Sequence, residues 1–481
     1  MTEQGLIVNG IRLHSAYNPQ KEAERFVQSL ECSFIPKAVL ITEPALSYTE
    51  PYLRQRFSGT PILAVRYDKN FAKYDKDFDH VFYLDEAQSL AEQLFSYLGE
   101  EGLSQTLFLS WKPSEQAYPE KHESAWKNIK EALLKSRDVL GTRTYFAKRW
   151  AKNACRFALF SQTTSIPQKT KGPLVVCASG PSLSSSLPYL KKFRSKMTLI
   201  AVSSALQPLV HEGIMPDLVI STDGGYWAKA HLACIERMNL TVPLALPAEA
   251  ACYTQTLTSK TIVPLAYGDG ISQSILEECK IASLSAERNG TVSGTACKLA
   301  LELTDGPVYA CGLDLASSKG KVHAEPNENE NRDSIKDRRL CPKETRLTPS
   351  HFENGSLTLY RTWFKNTSFG ERLHRLSEKI YTDSLGQVDS LNWETFEKLH
   401  TSDVPKLNFT THKNSLTKEE RKAMLQTIIR KHKDDPAWIK DAFPALAIQK
   451  ERSVEHTDDT SLKKAMEDFE HSLLSALGAT E

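Results

Sequence analysis

The strongest constraint on the fold is a series of short apolar runs between residues 172 and 345, each ending in small or polar residues. The runs are Leu174–Cys177, Leu199–Val202, Leu218–Ser221, Pro243–Leu246 and Val308–Cys311. Short apolar runs that alternate with helical patterns are typical of parallel strands in βα units. Such sheets bind ligands at the carboxyl ends of their strands. We therefore predict that residues 172–345 form a Rossmann-like α/β domain with a ligand site.

The first 160 residues show the same alternation, which predicts an N-terminal α/β domain over 1–160. The candidate strands are Ala38–Thr42, Pro61–Tyr67, Val81–Leu84 and Leu107–Trp111, with a helix at Ala87–Tyr97. A long helical pattern from His122 to Phe160 is expected to break or kink near Gly141. The polar segment Ser161–Lys171 is expected to be a linker.

Residues 346–481 are predicted to form a mostly helical C-terminal domain. Thr417 and Glu420 have the spacing of a capping box, and a later amphipathic pattern stops at Gly478. The preceding segment, Lys321–Glu344, has 12 charged residues out of 24 and two prolines. That composition is typical of a mobile surface insertion.

The overall charge limits the function classes. With 60 Lys+Arg and 59 Asp+Glu residues, the net charge of +1 argues against a protein that coats nucleic acid or an anionic membrane. The nine cysteines are scattered and form no C-x-x-C motif, which argues against a zinc ribbon. No signal peptide and no membrane-spanning run are visible, so we expect a cytoplasmic protein.

The loop after the first central strand carries the most informative motif, Ser179-Gly180-Pro181-Ser182-Leu183. Gly180 allows a sharp turn and a close approach of a ligand to the main chain. Pro181 fixes the turn, and Ser182 can cap a helix or donate to a phosphate. Because the motif is neither a Walker A loop nor G-x-G-x-x-G, a βα turn without a ligand stays the alternative.

Further polar residues follow the other strands or open helices. Ser203 follows the second strand, and Asp223 follows the third, where it can accept from a ribose hydroxyl or hold a cation. Thr291, Ser293 and Gly294 open a helix and suit a phosphate or a base edge, with simple helix capping as the alternative.

Two further residues are candidates for catalysis. Asp314 ends the fifth strand, and His323 lies nine residues further along the chain. A histidine beside a nucleotide cleft can act as a general base near neutral pH, although a lone histidine is more often a surface residue. If His323 is not the base, Asp314 or Glu325 is the alternative.

The order of these motifs resembles the motility accessory factor (Maf) family of bacterial flagellin glycosyltransferases. The resemblance extends from Leu13 to about Ala324. The matching motifs are Leu13–Ala23, Ser179–Leu183, Gly213–Asp217 with Ser221–Asp223, Thr291–Ala296, Gly312–Ala316 and Gly320–Ala324, with a weaker similarity at Leu359–Phe364. Each motif alone is weak, but their shared order makes the match fairly specific.

The resemblance implies transfer of a nonulosonic acid, of the pseudaminic or legionaminic type, from its CMP-sugar to Ser or Thr of flagellin. Its central domain is similar to bacterial sialyltransferases, which implies that Gly180–Leu183 and Ser293–Gly294 contact CMP. Those enzymes have asparagines where this chain has Ser203 and Asp223. Their general base is a histidine, which implies that His323 is the base here.

The resemblance further implies that the donor is a CMP-activated nonulosonic acid and that flagellin is the partner, in support of flagellar assembly and motility. Mg²⁺ is not obligatory, although Asp223 and Asp314 could supply ligands to one ion. The same central domain also resembles archaeal pterin pyrophosphokinases. A pterin or nucleotide pyrophosphokinase and a non-catalytic flagellin-binding accessory protein therefore stay open as alternatives.

Overall fold

The structure is a computed structural model that describes residues 7–86, 88–316, 321–330, 334–346, 355–376, 384–453 and 460–478. The chain divides into two compact units. The first unit contains Met1–Ala147 and Ile439–Met466, and the second contains Lys148–Trp438 and Glu467–Glu481. The α/β class predicted from the sequence is confirmed.

The N-terminal unit contains a four-stranded parallel sheet and a small antiparallel pair. Its strands are β1 (Ile7–Val8), β2 (Ile11–Arg12), β3 (Ala38–Thr42), β4 (Ile62–Arg66), β5 (His80–Tyr83) and β6 (Thr106–Ser110). The parallel sheet has the order β5-β4-β3-β6, so all four predicted strands form. The accompanying α-helices are Pro19–Gln28, Glu50–Arg56, Leu90–Ser104, Lys112–Ala117 and Pro444–Arg452, with a 3₁₀ helix at Lys69–Asp77.

One continuous helix spans Pro119–Phe160, so a break near Gly141 is wrong, and the kink predicted as its alternative stays a prediction. A glycine inside a helix costs only about 1 kcal/mol relative to alanine. The helix buries alanines on both sides of this position, among them Ala132 and Ala147. Burial of these side chains stabilises the helix on both sides of Gly141.

The second unit is built on one large sheet. Its strands are β7 (Thr163–Pro167), β8 (Leu174–Cys177), β9 (Thr198–Val202), β10 (Leu218–Ile220), β11 (Leu244–Pro247), β12 (Thr261–Ala266), β13 (Leu284–Ser285), β14 (Val308–Cys311), β15 (Leu373–Leu376), β16 (Asp389–Leu391) and β17 (Phe409–Lys413). The order is β16-β15-β14-β8-β9-β10-β11-β12-β7-β17, with β13 paired to β12. Neighbours are parallel except β17 and β7.

Helices connect these strands and complete the unit. They are Leu183–Lys192, Ser203–His211, Tyr226–Ala230, Ala233–Arg237, Thr254–Ser259, Gly270–Glu278, Val292–Leu303, Lys343–Arg346, Gly355–Asn366, Trp393–Leu399, Lys418–Lys431 and Pro436–Ala442, with 3₁₀ helices at Arg194–Lys196 and Gly370–Arg372. The capping box predicted at Thr417 and Glu420 begins the helix Lys418–Lys431 and is confirmed. The last helix spans Thr460–Gly478.

Two segments differ from their predicted secondary structure. The expected linker Ser161–Lys171 contains β7, whose threonines pair with β12 and β17. Residues after 346, expected to be mostly helical, also supply β15, β16 and β17. β16 and β17 lie at the two ends of the sheet and are mostly exposed, which explains their polar residues, whereas β15 lies between β14 and β16 and places His374 and Arg375 between two buried leucines.

The sheet has a switch point between β8 and β14. From β8 the chain continues to β9 on one side, whereas β14 pairs with β8 on the other. Both strands are fully buried, with Val175, Val176 and Ala310 at 0% exposure. In open α/β sheets, such a reversal of strand order leaves a crevice at the carboxyl ends where ligands bind.

Candidate functional site

The loops that follow β8 and β14 are joined at the switch point. Gly180 N donates to Gly312 O at 2.8 Å, and Ser182 N donates to Asp314 Oδ2 at 2.7 Å. The Ser182 hydroxyl also donates to Asp314 Oδ1. Both carboxylate oxygens of Asp314 therefore hold the Ser179–Leu183 loop in shape.

Asp314 is buried, with 2% of its surface exposed. Burial raises the pKa of Asp314, although the hydrogen bonds from Ser182 and the charge of Arg375 act to lower it. Arg375 is itself buried in β15 and donates from Nε to Ser390 Oγ at 3.1 Å. Asp314 therefore supports the Ser179–Leu183 loop through its bonds to Ser182.

Gly180 is required for a different reason from the one the sequence suggests. A Cβ atom at this position would lie 2.5 Å from both Asp314 Oδ2 and Gly312 O. The close approach is thus between two loops of the protein itself. Of the predicted nucleotide loop, Pro181, Ser182 and Leu183 are buried and Gly180 is half-buried. Gly180 is therefore the one residue of Ser179–Leu183 that is not buried.

Ser179 contacts the candidate base directly. Its Oγ lies 2.8 Å from His323 Nδ1, and it accepts a hydrogen bond of 2.8 Å from Ser204 Oγ. Ser204 stands in the first turn of the helix Ser203–His211, beside the buried Ser203. The structure thus joins the ends of β8 and β9 to His323, which is 144 residues from Ser179 in the chain.

The segment that carries His323 is attached to the same edge of the sheet. Ala324 N donates to Ser179 O at 2.7 Å, and Glu325 pairs with Lys321 at 2.9 Å and with Lys343 at 2.6 Å. Burial acts to raise the pKa of Glu325, but the ammonium groups of Lys343 and Lys321 hold this pKa below its usual range. The described part of the charged insertion is therefore anchored beside the loop. Gly320, which opens the matching motif, lies outside the described residues.

Asp223 and the turn before the helix start at Thr291 both lie near Tyr360, and we call this region the second cluster. Asp223 is exposed, and its Oδ1 accepts from Gly225 N at 2.7 Å. Thr291 and Ser293 are half-buried at the start of the helix Val292–Leu303, and the Thr291 side chain makes no capping bond. Burial and the charge of Asp223 raise the pKa of Tyr360, so this tyrosine lies near Asp223. The cluster presents one carboxylate and two hydroxyls.

Glycines in this cluster accommodate aromatic rings of the helix Gly355–Asn366. A Cβ at Gly294 would lie 2.8 Å from the Trp363 ring, and one at Gly290 would lie 3.2 Å from Tyr360 Cε1. Gly294 therefore allows close packing of Trp363, in addition to any role in ligand binding. Tyr360 and Trp363 belong to the weakest of the matching motifs, which is why residue-by-residue reasoning passed over them.

The structure also places His231 against His323 and Ser204 against Ser179, and neither is among the site residues that the sequence predicts. His231 has no local motif, and only its contact with a residue far along the chain distinguishes it. Across the residues that the structure describes, no group of three or more His, Cys, Asp or Glu side chains is arranged to hold a metal ion. Asp223 and Asp314 lie on different loops, and the oxygens of Asp314 accept from Ser182.

These features define an α/β protein of the Rossmann-like class with a candidate ligand site at the switch point of its larger sheet. Residues 148–320 match the family model described as 6-hydroxymethylpterin diphosphokinase MptE-like. Along 98% of this chain and 88% of the other, the fold resembles the MAf glycosyltransferase from Magnetospirillum magneticum AMB-1, with a TM-score of 0.51 and 12% identity. The resemblance to the Maf family is thus confirmed at the level of the fold.

An uncharacterized protein from Treponema pallidum (strain Nichols) is 31% identical over 317 residues, or 65% of this chain and 69% of that protein. The chain belongs to the same family as this protein. Within the described residues, no helix combines the length and the apolar character needed to cross a membrane.

Proposed function

We propose that this protein is a glycosyltransferase that moves a nonulosonic acid from its CMP-sugar to a Ser or Thr hydroxyl of flagellin. The observation that carries the proposal is the Ser179–His323 contact of 2.8 Å, next to the Gly180 loop at the switch point. A base and a phosphate-binding loop at one crevice are what a nucleotide-sugar transferase needs. The glycosyltransferase fold supports the same reading.

In the proposed reaction, the acceptor hydroxyl attacks the anomeric carbon of the sugar. The proton of that hydroxyl passes to Nε2 of His323, the new oxygen–carbon bond forms, and the bond from carbon to the CMP phosphate breaks. For Nε2 to accept a proton, Nδ1 must carry hydrogen and donate to Ser179 Oγ. Ser179 therefore has the role of fixing the tautomer of His323.

CMP leaves with the electron pair of the broken bond, and its phosphate gains charge as it does so. We assign the start of the helix Val292–Leu303 to this phosphate, with the half-buried Gly180 beside it, since the N–H of Gly180 already donates to Gly312 O. Asp223 is assigned to the ribose hydroxyls, and Ser203, Thr291 and Ser293 to the remaining polar edges of the nucleotide. Because CMP is a good leaving group, the step does not depend on a metal ion.

The test is His323→Ala, with His211→Ala as a matched control at an exposed position on the helix Ser203–His211. Loss of a general base should lower transfer by roughly 10²–10⁴-fold and leave CMP affinity nearly unchanged. Transfer is measured by mass spectrometry of flagellin incubated with the CMP-sugar, and CMP affinity is measured by calorimetry. The control should behave as the wild type.

Near wild-type turnover in His323→Ala, with an unchanged pH profile between about 5 and 8, would remove His323 as the base. No detectable CMP binding by the wild-type protein would instead overturn the nucleotide assignment as a whole. The two results separate an error in the base from an error in the function.

The second candidate is a pterin or nucleotide pyrophosphokinase, favoured by the match of residues 148–320 to the diphosphokinase family model. That reaction transfers a diphosphate from ATP and uses Mg²⁺ to neutralise the phosphates. We expect ATP with Mg²⁺ to bind more weakly than CMP. Tighter ATP binding, together with AMP release in the presence of 6-hydroxymethylpterin, would favour the kinase over the transferase.

A further inference from the structure

A second histidine, His231, lies against the candidate base. The ring centroids of His231 and His323 are 5.8 Å apart, and the two planes are at 88°. His231 is 8% exposed and stands between the short helices Tyr226–Ala230 and Ala233–Arg237. A buried ring packed edge-to-face restricts the rotation of its neighbour.

Hydrogen bonds link His231 back to the segment that carries His323. Asn329 Nδ2 lies 2.9 Å from His231 Nε2, and Asn329 N donates to Asn327 Oδ1 at 3.1 Å. Asn327 Nδ2 in turn donates to Ala324 O at 3.2 Å. The chain of contacts from His231 therefore ends at the residue that directly follows His323.

We propose that His231 is a positioning residue for His323, an inference that rests on the proposed function. The bond between Nδ1 and Ser179 Oγ fixes one atom of the His323 ring but leaves the ring plane free to swing about that bond. The perpendicular ring of His231 fixes this plane, and the Asn329 contact keeps His231 in place. Together they aim Nε2 at one point, where the acceptor hydroxyl must lie.

The same segments offer a matched control. Arg237 pairs with Glu328, so this ion pair joins the same helical region to the same insertion through other side chains. If docking of the insertion were all that mattered, Arg237→Gln should act like a substitution at His231. If His231 sets the ring plane of His323, the two should differ.

The first experiment is a double-mutant cycle on transfer activity. We expect His231→Ala to lower kcat by about tenfold or more, because a displaced catalytic group can cost up to about 10²-fold. KM for the CMP-sugar should stay within about twofold, as should kcat in Arg237→Gln. In a protein that already carries His323→Ala, the further change His231→Ala should lower kcat little, because no base is left to be displaced. Equal losses in both backgrounds would overturn the proposal.

His231→Phe keeps a ring at the edge-to-face position and avoids a cavity, which covers the case in which His231→Ala does not fold. We expect kcat within about threefold of wild type, because an aromatic ring preserves the perpendicular contact. A loss in His231→Phe as large as the loss in His323→Ala would contradict the role of the ring.

The second experiment does not depend on turnover. Long-range ¹H–¹⁵N spectra report the tautomer and environment of each histidine ring in the full-length protein. The His323 signals should move in His231→Ala and stay in place in Arg237→Gln. Unchanged His323 signals in His231→Ala would overturn the positioning role, whereas absence of CMP binding by the wild type would overturn only the proposed function.

Discussion

The two large sheets of this chain differ in the hydrogen bonding and burial of the loops that follow their parallel strands. In the N-terminal unit, Glu43 directly follows β3 and is fully buried. Its carboxylate accepts from Tyr67 N at 2.6 Å, Asp68 N at 3.0 Å and Arg66 Nη1 at 3.1 Å. In the second unit, the corresponding loop keeps Gly180 half-buried beside the Ser179–His323 pair.

Around Arg66, the polar groups that follow the strands of the N-terminal sheet bond to one another. Arg66 is 1% exposed and also donates to Ala45 O at 2.8 Å and to Ser47 Oγ at 3.0 Å. Glu43, Ala45 and Ser47 all have positive φ, so the turn bends tightly around the guanidinium. Polar groups that are satisfied internally have little left to offer a ligand.

The comparison shows why a Rossmann-like sheet does not by itself indicate a ligand site. Both sheets have a switch point and polar residues after their strands, and apolar runs in the sequence predict the central strands of both. The difference lies in which partners the polar residues find. One edge uses them in buried ion pairs around Arg66, whereas the other joins neutral hydroxyls to a histidine and leaves Gly180 and His323 half-buried.

The largest expected effect is in the N-terminal unit. Glu43→Ala removes one of the two carboxylates that pair with the buried Arg66, whose Nε still contacts Asp75 Oδ1 at 2.9 Å, so it should cost about 3 kcal/mol of stability. Hydrogen exchange of β3–β6 should accelerate accordingly, while CMP affinity stays unchanged. The control is Glu394→Ala, which breaks an exposed pair with Lys398 and should leave exchange as it is. Loss of CMP binding in Glu43→Ala would refute the division of roles.

The next effect concerns acid stability of the same unit. Burial lowers the pKa of His14 to about 4, although a hydrogen bond to the main chain acts against this. The unfolded chain takes up a proton below about 6.5, whereas the folded His14 does not until about 4. Stability is therefore full above pH 6.5 and falls by about 3 kcal/mol as the pH drops to 4.

The measurement is hydrogen exchange of β3–β6 at several pH values between 4 and 8. His14→Gln removes the titrating ring and keeps an acceptor for Leu46 N, which now donates to His14 Nε2 at 3.2 Å. The variant should show a flatter pH dependence than the wild type. Identical slopes for both proteins would contradict a neutral buried His14.

In the loop after β8, Gly180→Ala places a methyl group where Asp314 Oδ2 and Gly312 O would each be 2.5 Å away. The loop must shift, and CMP affinity should fall by about tenfold to a hundredfold, with exchange in β3–β6 unchanged. Gly141→Ala is the control, because a Cβ there meets nothing within 4 Å. Wild-type CMP affinity in Gly180→Ala would exclude this loop from the nucleotide site.

The sequence predicts some secondary-structure elements of this chain better than others. Apolar runs such as Leu174–Cys177 and Ala38–Thr42 predict strands at the observed positions, because a fully buried strand has to be apolar throughout. The Thr417 capping box is equally local. Strands such as β15 and β16 lack this signature, since charged and polar residues interrupt them.

For the candidate site, the sequence predicts several residues but not the contacts between them. The motifs and the family resemblance indicate Ser179, Gly180 and His323, but their mutual contacts join residues more than 130 positions apart. Ser204 and His231 have no distinguishing pattern of their own. Asp314 looks like a ligand-facing strand end in the sequence, and only the fold reveals that Ser182 occupies both of its oxygens.

The smallest expected effect is at His432, where stability falls as the pH rises, in contrast to His14, where stability falls as the pH drops. In the second unit, His432 Nδ1 lies 2.6 Å from Asp435 Oδ2, its Nε2 contacts Glu278, and its ring stacks on Trp438. Burial acts to lower the pKa of His432, but the hydrogen bonds and charges of Glu278 and Asp435 raise it overall. Protonated His432 therefore stabilises the fold below about pH 6.5, and this contribution is lost as the pH rises through the raised pKa.

The expected size is below about 1 kcal/mol, because the group lies near the surface where solvent screens ion pairs. Exchange in the helices Gly270–Glu278 and Lys418–Lys431 should therefore speed up slightly between pH 6 and 8, after correction for intrinsic rates. His432→Gln should remove that dependence. Because His14 and His432 oppose each other, a melting temperature of the whole protein would blur both, and only exchange resolved by segment can separate them. The same direction of change in both units would show that one of the two assignments is wrong.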